Sequence, residues 1–136
     1  TVTMWHSLEH VFSYKDTLSL VSKTLMSKGN LIVACPNYKS FDANYYKKFW
    51  AGFDVPRHYW HFSPNGLIEI MSQNGFNHIK KKPMYFDAIY VSMLSEQYKQ
   101  SKLWFIKGLA VGVWSNLVSL FKNNASSYVY LFKKRV

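Results

Sequence analysis

The feature that most constrains the fold of this sequence is a strand, a helix and a second strand within its first 36 residues. Residues 1–5, Thr-Val-Thr-Met-Trp, form a run rich in β-formers. A helix is predicted next, with Asp16 as its N-cap, Lys28-Gly29 at its end, and one apolar face made by Leu18, Val21 and Leu25. Residues 31–35 then form a continuous apolar run, which is typical of a strand buried on both faces of a parallel sheet. The pattern predicts a βαβ unit with parallel strands.

The rest of the chain predicts further helices and strands around one long aromatic segment. Residues 37–62 show neither helical nor strand periodicity, so we expect a long loop whose aromatic side chains cover another surface. A helix is predicted from Ser63, its N-cap, with Pro64 at the first position, to Gly75. The remaining expected elements are a strand over 76–84, helices over 88–98 and 103–121, and a closing strand over 127–134.

Composition limits the class of protein. The chain has 136 residues, which suit one domain, and a net charge of +10, which favours anionic partners. The lysine-rich runs 80–82 and 133–135 come without a nucleic-acid-binding motif, so we expect no nucleic acid partner. Cys35 is the only cysteine, which excludes an internal disulfide framework and favours a reducing, cytoplasmic compartment.

The most apolar segment, 103–121, has two interpretations. It is interrupted by Lys107, Gly108, Gly112 and the pair Ser115-Asn116, so we expect a helix that packs over the sheet or a pocket rather than one that spans a bilayer. The alternative is a peripheral membrane contact made by this segment together with the basic residues Lys122 and 133–135.

The segment His6-Ser-Leu-Glu9-His10 directly follows the first strand. On a helix its two histidines and its glutamate would share one face, at i, i+3 and i+4. Such a set can hold a divalent ion or form a base with its orienting partner, and the alternative is a polar helix start. Its place at the carboxyl end of a parallel strand favours a functional site, because ligands of open α/β sheets bind there.

A second polar cluster lies inside the aromatic segment. Asp54, Arg57, His58 and His61 form either a substrate-facing group or, for the first two, an ion pair that fixes the backbone. The first two strands end at the same edge of the sheet, and the aromatic segment leaves from that edge. We therefore expect the segment to form a lid that brings this second cluster toward residues 6–10.

Four stretches of the sequence carry recognisable motifs: MWHSLEHV at 4–11, LMSKGNLIVACPN at 25–37, WAGFDVPRHYWHFSPNGL at 50–67 and MSQNGF at 71–76. Together they resemble the C-terminal part of class I S-adenosylmethionine-dependent methyltransferases. The resemblance is to the branch with a Leu-Glu-His motif after a strand and a Trp-x-Gly-x-Asp-x-Pro-Arg-His segment leading into Phe-Ser-Pro. Residues 28–30, Lys-Gly-Asn, depart from the Lys-Pro-Gly-Gly turn of that branch by losing its proline.

The resemblance implies an α/β fold, with residues 1–136 as one partial domain. The expected architecture is the C-terminal half of a Rossmann-like methyltransferase sheet, strands four to seven with the last antiparallel, and flanking helices. Residues 37–62 would be the lid loop. The glycine-rich loop and the ribose-binding acid of the family have no counterpart here, so the missing N-terminal half is the expected partner and the chain alone is expected to be inactive.

The resemblance also implies a reaction, S-adenosylmethionine-dependent methyl transfer to a small-molecule or glycan-type acceptor. Trp5 and His6 would lie beside the cofactor, and His10 would be the base with Glu9 next to it. The acceptor side would be formed by Asp54, Arg57, His58 and His61. Alternatives are a non-catalytic scaffold that kept the fold and a peripheral membrane-binding domain.

A narrower likeness concerns a metal. Some quinone-biosynthesis O-methyltransferases of this class use Glu-x-x-Glu-His after the fourth strand to hold a divalent ion. The matching run here is His6-x-x-Glu9-His10, in which an imidazole replaces the first carboxylate and disfavours magnesium. We assign no metal ligand from the sequence.

Overall fold

The computed structural model describes residues 1–136. Four strands form one mixed sheet in the order β1-β2-β4-β3. The strands are β1 (Val2–Trp5), β2 (Asn30–Pro36), β3 (Phe76–Pro83) and β4 (Ser127–Lys134). The α-helices are α1 (Tyr14–Thr24), α2 (Phe41–Tyr46), α3 (Pro64–Gln73), α4 (Tyr85–Tyr98) and α5 (Trp104–Lys122).

The sheet has the mixed α/β character that the sequence predicts. Strand β1 pairs in parallel with β2, and Val2 lies opposite Leu31. Strand β4 is antiparallel to both of its neighbours, β2 and β3. The carboxyl ends of β1 and β2 therefore meet at one edge of the sheet, as the βαβ prediction requires.

One face of the sheet carries the main core. Leu18 of α1 and Leu67 of α3 pack with Leu31 and Val33 of β2 and with Phe132 of β4, and all five are fully buried. The other face is only partly covered. An open groove of about 490 Å³ lies there, and its lining includes Ile32, Lys80, Lys82, Val129 and Leu131. The prediction that β2 is buried on both faces is wrong at Ile32, which is half-buried.

Helix α1 starts and ends earlier than the sequence predicts. The Ser13 hydroxyl, not the Asp16 carboxylate, caps it by accepting a hydrogen bond from the Asp16 backbone N–H at 3.3 Å. The helix ends at Thr24, and Leu25 follows in an extended conformation with ψ 136°. Lys134 of β4 donates to the Leu25 carbonyl at 2.8 Å and so satisfies it.

The predicted loop over 37–62 is wrong over residues 41–53, which are mostly helical. Ser40 caps α2 by accepting from the Ala43 N–H at 3.2 Å, and two 3-10 turns follow at Lys47–Phe49 and Ala51–Phe53. The reason is a buried carboxylate that holds this region together. Asp42 is fully buried and accepts hydrogen bonds from Trp50 Nε1, Ser115 Oγ and Ser126 Oγ, at 2.7 to 2.8 Å.

Helices α4 and α5 form a closely packed pair. A Cβ atom on Gly108 would lie 2.5 Å from Met93 Cα, and one on Gly112 would lie 2.5 Å from Ile89 Cα. Only glycine permits this approach, so the small residues of the predicted helix do form a contact face. The partner of that face is α4 rather than the sheet.

The opposite face of α5 is exposed and apolar. By length and composition α5 could cross a membrane, and only 22% of its apolar stretch is buried within the fold. The main prediction, a helix packed over the sheet or a pocket, does not account for this exposed face. Only the alternative, a peripheral membrane contact, implied that the segment is exposed.

Candidate functional site

The segment after β1 turns sharply instead of starting a helix. His6 has φ 43°, and its backbone N–H donates to the Ala34 carbonyl at 2.9 Å. Only a short 3-10 turn, Leu8–His10, follows. The predicted shared helical face is therefore wrong. Glu9 points inward and is 1% exposed, whereas His10 is exposed.

His6 lies between two carboxylates. Its Nε2 is 3.2 Å from Asp87 Oδ2 and its Nδ1 is 3.4 Å from Glu9 Oε1. Asp87 and then Glu9 raise the pKa of His6 to about 9, so the imidazole is protonated at neutral pH. Sequence reasoning missed Asp87, because α4 begins at Tyr85, three residues before its predicted start.

Protonation of His6 predicts a pH dependence of stability. A pKa raised from 6.5 to about 9 contributes stability that is fully present below pH 6.5 and lost as the pH rises through 9. The shift corresponds to at most ~3 kcal/mol, which we reduce to ~1 kcal/mol because the side chain is 37% exposed. We expect His6→Gln to flatten the fall in the free energy of unfolding between pH 6.5 and 9.5, measured by urea titration.

His78→Gln is the matched control for this experiment. The pKa of His78 is lowered by burial, so His78 is neutral throughout that pH range and its replacement leaves the slope unchanged. An unchanged slope in the His6→Gln variant would contradict the ion pairs as the origin of the effect.

The Asp54–Arg57 ion pair that the sequence allows is present. Arg57 Nε donates to Asp54 Oδ1 at 3.0 Å, and Nη2 contacts the same oxygen. Asp54 itself adopts a left-handed conformation with φ 40°, which turns the chain at the end of the second 3-10 turn. The pair fixes the backbone that leads to His58.

His58 is held as a neutral imidazole. Its Nδ1–H donates to the Gly52 carbonyl at 3.0 Å, so Nε2 keeps a free lone pair. Burial is the main cause of a lowered pKa, and only 9% of the side chain is exposed. Asp54 Oδ2 lies 3.8 Å from Nε2, too far for a hydrogen bond.

The segment around His58 packs directly on the segment after β1. The Tyr59 N–H donates to the Glu9 carbonyl at 2.8 Å, and His10 Nδ1–H donates to the Arg57 carbonyl at 3.1 Å. The rings of His10 and His58 meet edge to face with centroids 4.5 Å apart. The two polar clusters are thus in contact, as the sequence predicts.

A cavity of about 280 Å³ lies between this junction and α4. Four of the predicted site residues line it: His6, Asp54, Arg57 and His58. Helix α4 contributes Asp87, Tyr90, Val91, Leu94 and Tyr98. A larger open cavity of about 680 Å³ beside Ser63 contains none of the predicted site residues.

The other four predicted residues lie outside this cavity. Glu9 is buried behind His6, and His10 packs against His58 without lining the cavity. His61 uses Nε2 to donate to the Phe53 carbonyl at 2.9 Å. Trp5 stands at the end of β1 with 55% of its surface exposed.

Three of the eight predicted site residues, two outside the cavity and one that lines it, lie close enough together to hold a metal ion. Glu9, His10 and His58 each offer one ligand atom within 4.8 Å of the others. Neither Glu9 oxygen accepts a hydrogen bond, and both histidines donate Nδ1–H to backbone carbonyls. The cluster contains His58 and not His6, which is the first residue of the His6-x-x-Glu9-His10 run compared above with a metal-binding motif.

Comparison with known proteins gives one family match. A family model described as a methyltransferase domain matches residues 1–81, more than half of the chain. No curated protein matches the sequence.

Solved structures show the same fold at low sequence identity. Phosphoethanolamine N-methyltransferase 2 of Haemonchus contortus, in complex with S-adenosyl-L-methionine, is 16% identical with a TM-score of 0.55. Mycolic acid cyclopropane synthase CmaA1, complexed with S-adenosylhomocysteine, is 15% identical with a TM-score of 0.52. Geranyl diphosphate C-methyltransferase from Streptomyces coelicolor, in complex with S-adenosyl-L-homocysteine, is 17% identical with a TM-score of 0.50.

The alignments cover nearly all of this chain but only part of those proteins. They include 99%, 98% and 100% of the chain, and 33%, 54% and 48% of the respective structures. This chain therefore spans between a third and just over half of the length of the structures it resembles.

Proposed function

Because this chain belongs to the methyltransferase domain family, we propose that it is the acceptor-side part of an S-adenosylmethionine-dependent methyltransferase. The observation that carries the proposal is the family match over residues 1–81, a region that contains His6 and His58 of the cavity. The proposed acceptor is a small molecule, because the cavity of about 280 Å³ lies near the lower limit of the volumes of small-ligand sites.

The residues present fit one side of a cofactor site. Trp5 offers an exposed aromatic ring at the carboxyl end of β1, where ligands of open α/β sheets bind. His6 follows it and lines the cavity. S-adenosylmethionine, when bound, supplies a methyl group on a sulfonium sulfur, and these two residues would lie beside it. The six glycines form no G-x-G motif after a strand, so the rest of the site must come from elsewhere.

We assign that remainder to an N-terminal half of the same domain. Strand β1 pairs only with β2 and leaves its other edge free. The groove beside Ile32 and Leu131 leaves a largely apolar sheet face uncovered. Doubly wound sheets cover both faces with helices, and β1 to β4 would then be strands four, five, six and seven of the complete sheet.

His58 is our proposed general base for an acceptor hydroxyl. It lines the cavity, is neutral at pH 7, and keeps Nε2 free to take a proton. His10, the base that the sequence pattern suggests, lies outside the cavity and supports His58 by ring contact. His6 is unsuited to this role because it is already protonated.

The cavity lining favours a polar acceptor with hydroxyl groups. Asp54 and Asp87 present carboxylates, while Tyr90 and Tyr98 add aromatic rings with hydroxyls. Sugars and other polyhydroxylated small molecules match this mixture of hydrogen-bond-accepting carboxylates and flat aromatic rings. Because Nε and Nη2 of Arg57 both contact Asp54, Arg57 would contact the methyl acceptor chiefly through Nη1.

Cofactor binding separates this proposal from a non-catalytic scaffold. We expect S-adenosylmethionine to bind the full-length protein with micromolar affinity in calorimetric titration, and to bind residues 1–136 weakly or not at all. Trp5→Ala in the full-length protein should weaken binding, whereas Trp104→Ala, on α5, should not. Full-length protein that fails to bind the cofactor would favour the scaffold.

We further propose a cytoplasmic location with peripheral membrane contact.

A further inference from the structure

We infer that the outer face of α5 docks on the surface of an anionic lipid bilayer. The inference does not depend on methyl transfer, because none of its residues lies in the cavity beside His58. It rests on the placement of large side chains on α5 and on the charges that surround them.

The burial pattern of α5 is the reverse of that of an ordinary core helix, which buries its large apolar residues. Its small residues Gly108, Gly112, Ser115 and Ser119 are the ones that are buried. Its large apolar residues point outward, including Trp104, Phe105, Ile106, Leu109, Val113, Trp114, Leu117, Leu120 and Phe121, with Phe121 89% exposed. Contiguous apolar surface of this kind marks an interaction site in soluble proteins.

The neighbouring charges select an anionic partner. Residues 97–126, from the end of α4 to the start of β4, contain four lysines and no Asp or Glu. Lys102 and Lys107 lie at the start of α5, and Lys122 is its last residue. Apolar side chains bracketed by lysines, with Trp104 and Trp114 among them, match the interface between acyl chains and anionic headgroups.

Two protein occupants fit this surface less well. A second copy would bring the same unopposed positive charges together. The N-terminal half proposed above has its own place at the free edge of β1, whereas α5 packs on α4 and is connected to β4.

The connections of α5 favour a helix lying on the bilayer. Five residues, 99–103, separate α4 from α5, and four residues, 123–126, separate α5 from β4. The inner face remains packed against Met93 and Ile89. The helix therefore keeps its contacts within the domain while its outer residues enter the interfacial region.

Vesicle co-sedimentation of the full-length protein tests the inference. Vesicles of phosphatidylcholine with 30% phosphatidylserine should bind the protein, and pure phosphatidylcholine should bind it at least about 10-fold more weakly. The double variant Leu117→Asp, Phe121→Asp should lose about 10-fold or more of the affinity. Adding salt should weaken binding of the wild type.

A control with the same change in charge distinguishes the surface from net charge. Leu20 and Met26 are 66% and 84% exposed and lie on or beside α1. The variant Leu20→Asp, Met26→Asp should retain most of the binding, and far-UV circular dichroism should show that both variants are folded. Equal losses in both variants, or no binding by the wild type, would overturn the inference. So would a dimer in solution that Phe121→Asp abolishes while vesicles remain unbound.

Discussion

In the full-length protein, His58→Ala is expected to lower kcat for methyl transfer to a hydroxyl acceptor by about 100-fold or more. His58 is the neutral imidazole of the cavity, and its free Nε2 is the atom positioned to take a proton. Its pKa lies below 6.5 because of burial. The base is therefore active at neutral pH, and kcat should fall as the pH decreases through that pKa. Steady-state rates between pH 5 and 8 give both results.

Two further variants distinguish the loss of a general base from the loss of packing around His58. His10→Ala removes the ring that contacts His58 from outside the cavity, so we expect it to lower kcat by less than about 10-fold. His78→Ala, on β3, should leave kcat unchanged. If His10→Ala were the more damaging variant and also abolished the acidic limb of the pH profile, His10 would be the base.

Periodicity predicted the strands well, because apolar side chains decide both their position and their burial. Strand β4 has the predicted bounds, and α3 has the predicted Ser63 cap, which accepts from the Gly66 N–H at 3.2 Å. Helix α2 was missed, because its stability depends on Asp42 meeting donors from residues 50, 115 and 126. No local pattern contains such contacts.

The site could be predicted in part for a related reason. The sequence motifs indicated that residues 6–10 and 54–61 meet, since both follow from strand topology. They could not indicate which side chains face the cavity. That choice depends on the left-handed turn at His6, which places Glu9 inside, and on Asp87 of α4, which is 81 residues away in sequence.

Replacement of Asp42 is expected to have the largest effect on stability. Its carboxylate is fully buried and accepts three hydrogen bonds from three different parts of the chain. Asp42→Ala would leave Trp50 Nε1 and two hydroxyls without an acceptor in a dry interior, which costs about 3 to 5 kcal/mol. Urea unfolding of the full-length protein should show this as a lower midpoint.

The hydrogen-bond partners of Asp42 provide graded controls. Ser115→Ala and Ser126→Ala each remove one donor and leave the others bonded, so each should cost about 1 kcal/mol. Asp42→Asn keeps one acceptor oxygen but turns an amide N–H₂ toward a donor, so its cost should lie between those of Ser115→Ala and Asp42→Ala. Asp16→Asn, in the exposed first turn of α1, should change stability by less than about 0.5 kcal/mol. An Asp42→Ala variant no less stable than Ser115→Ala would show that α2 is held by the packing of Trp50 and not by the carboxylate.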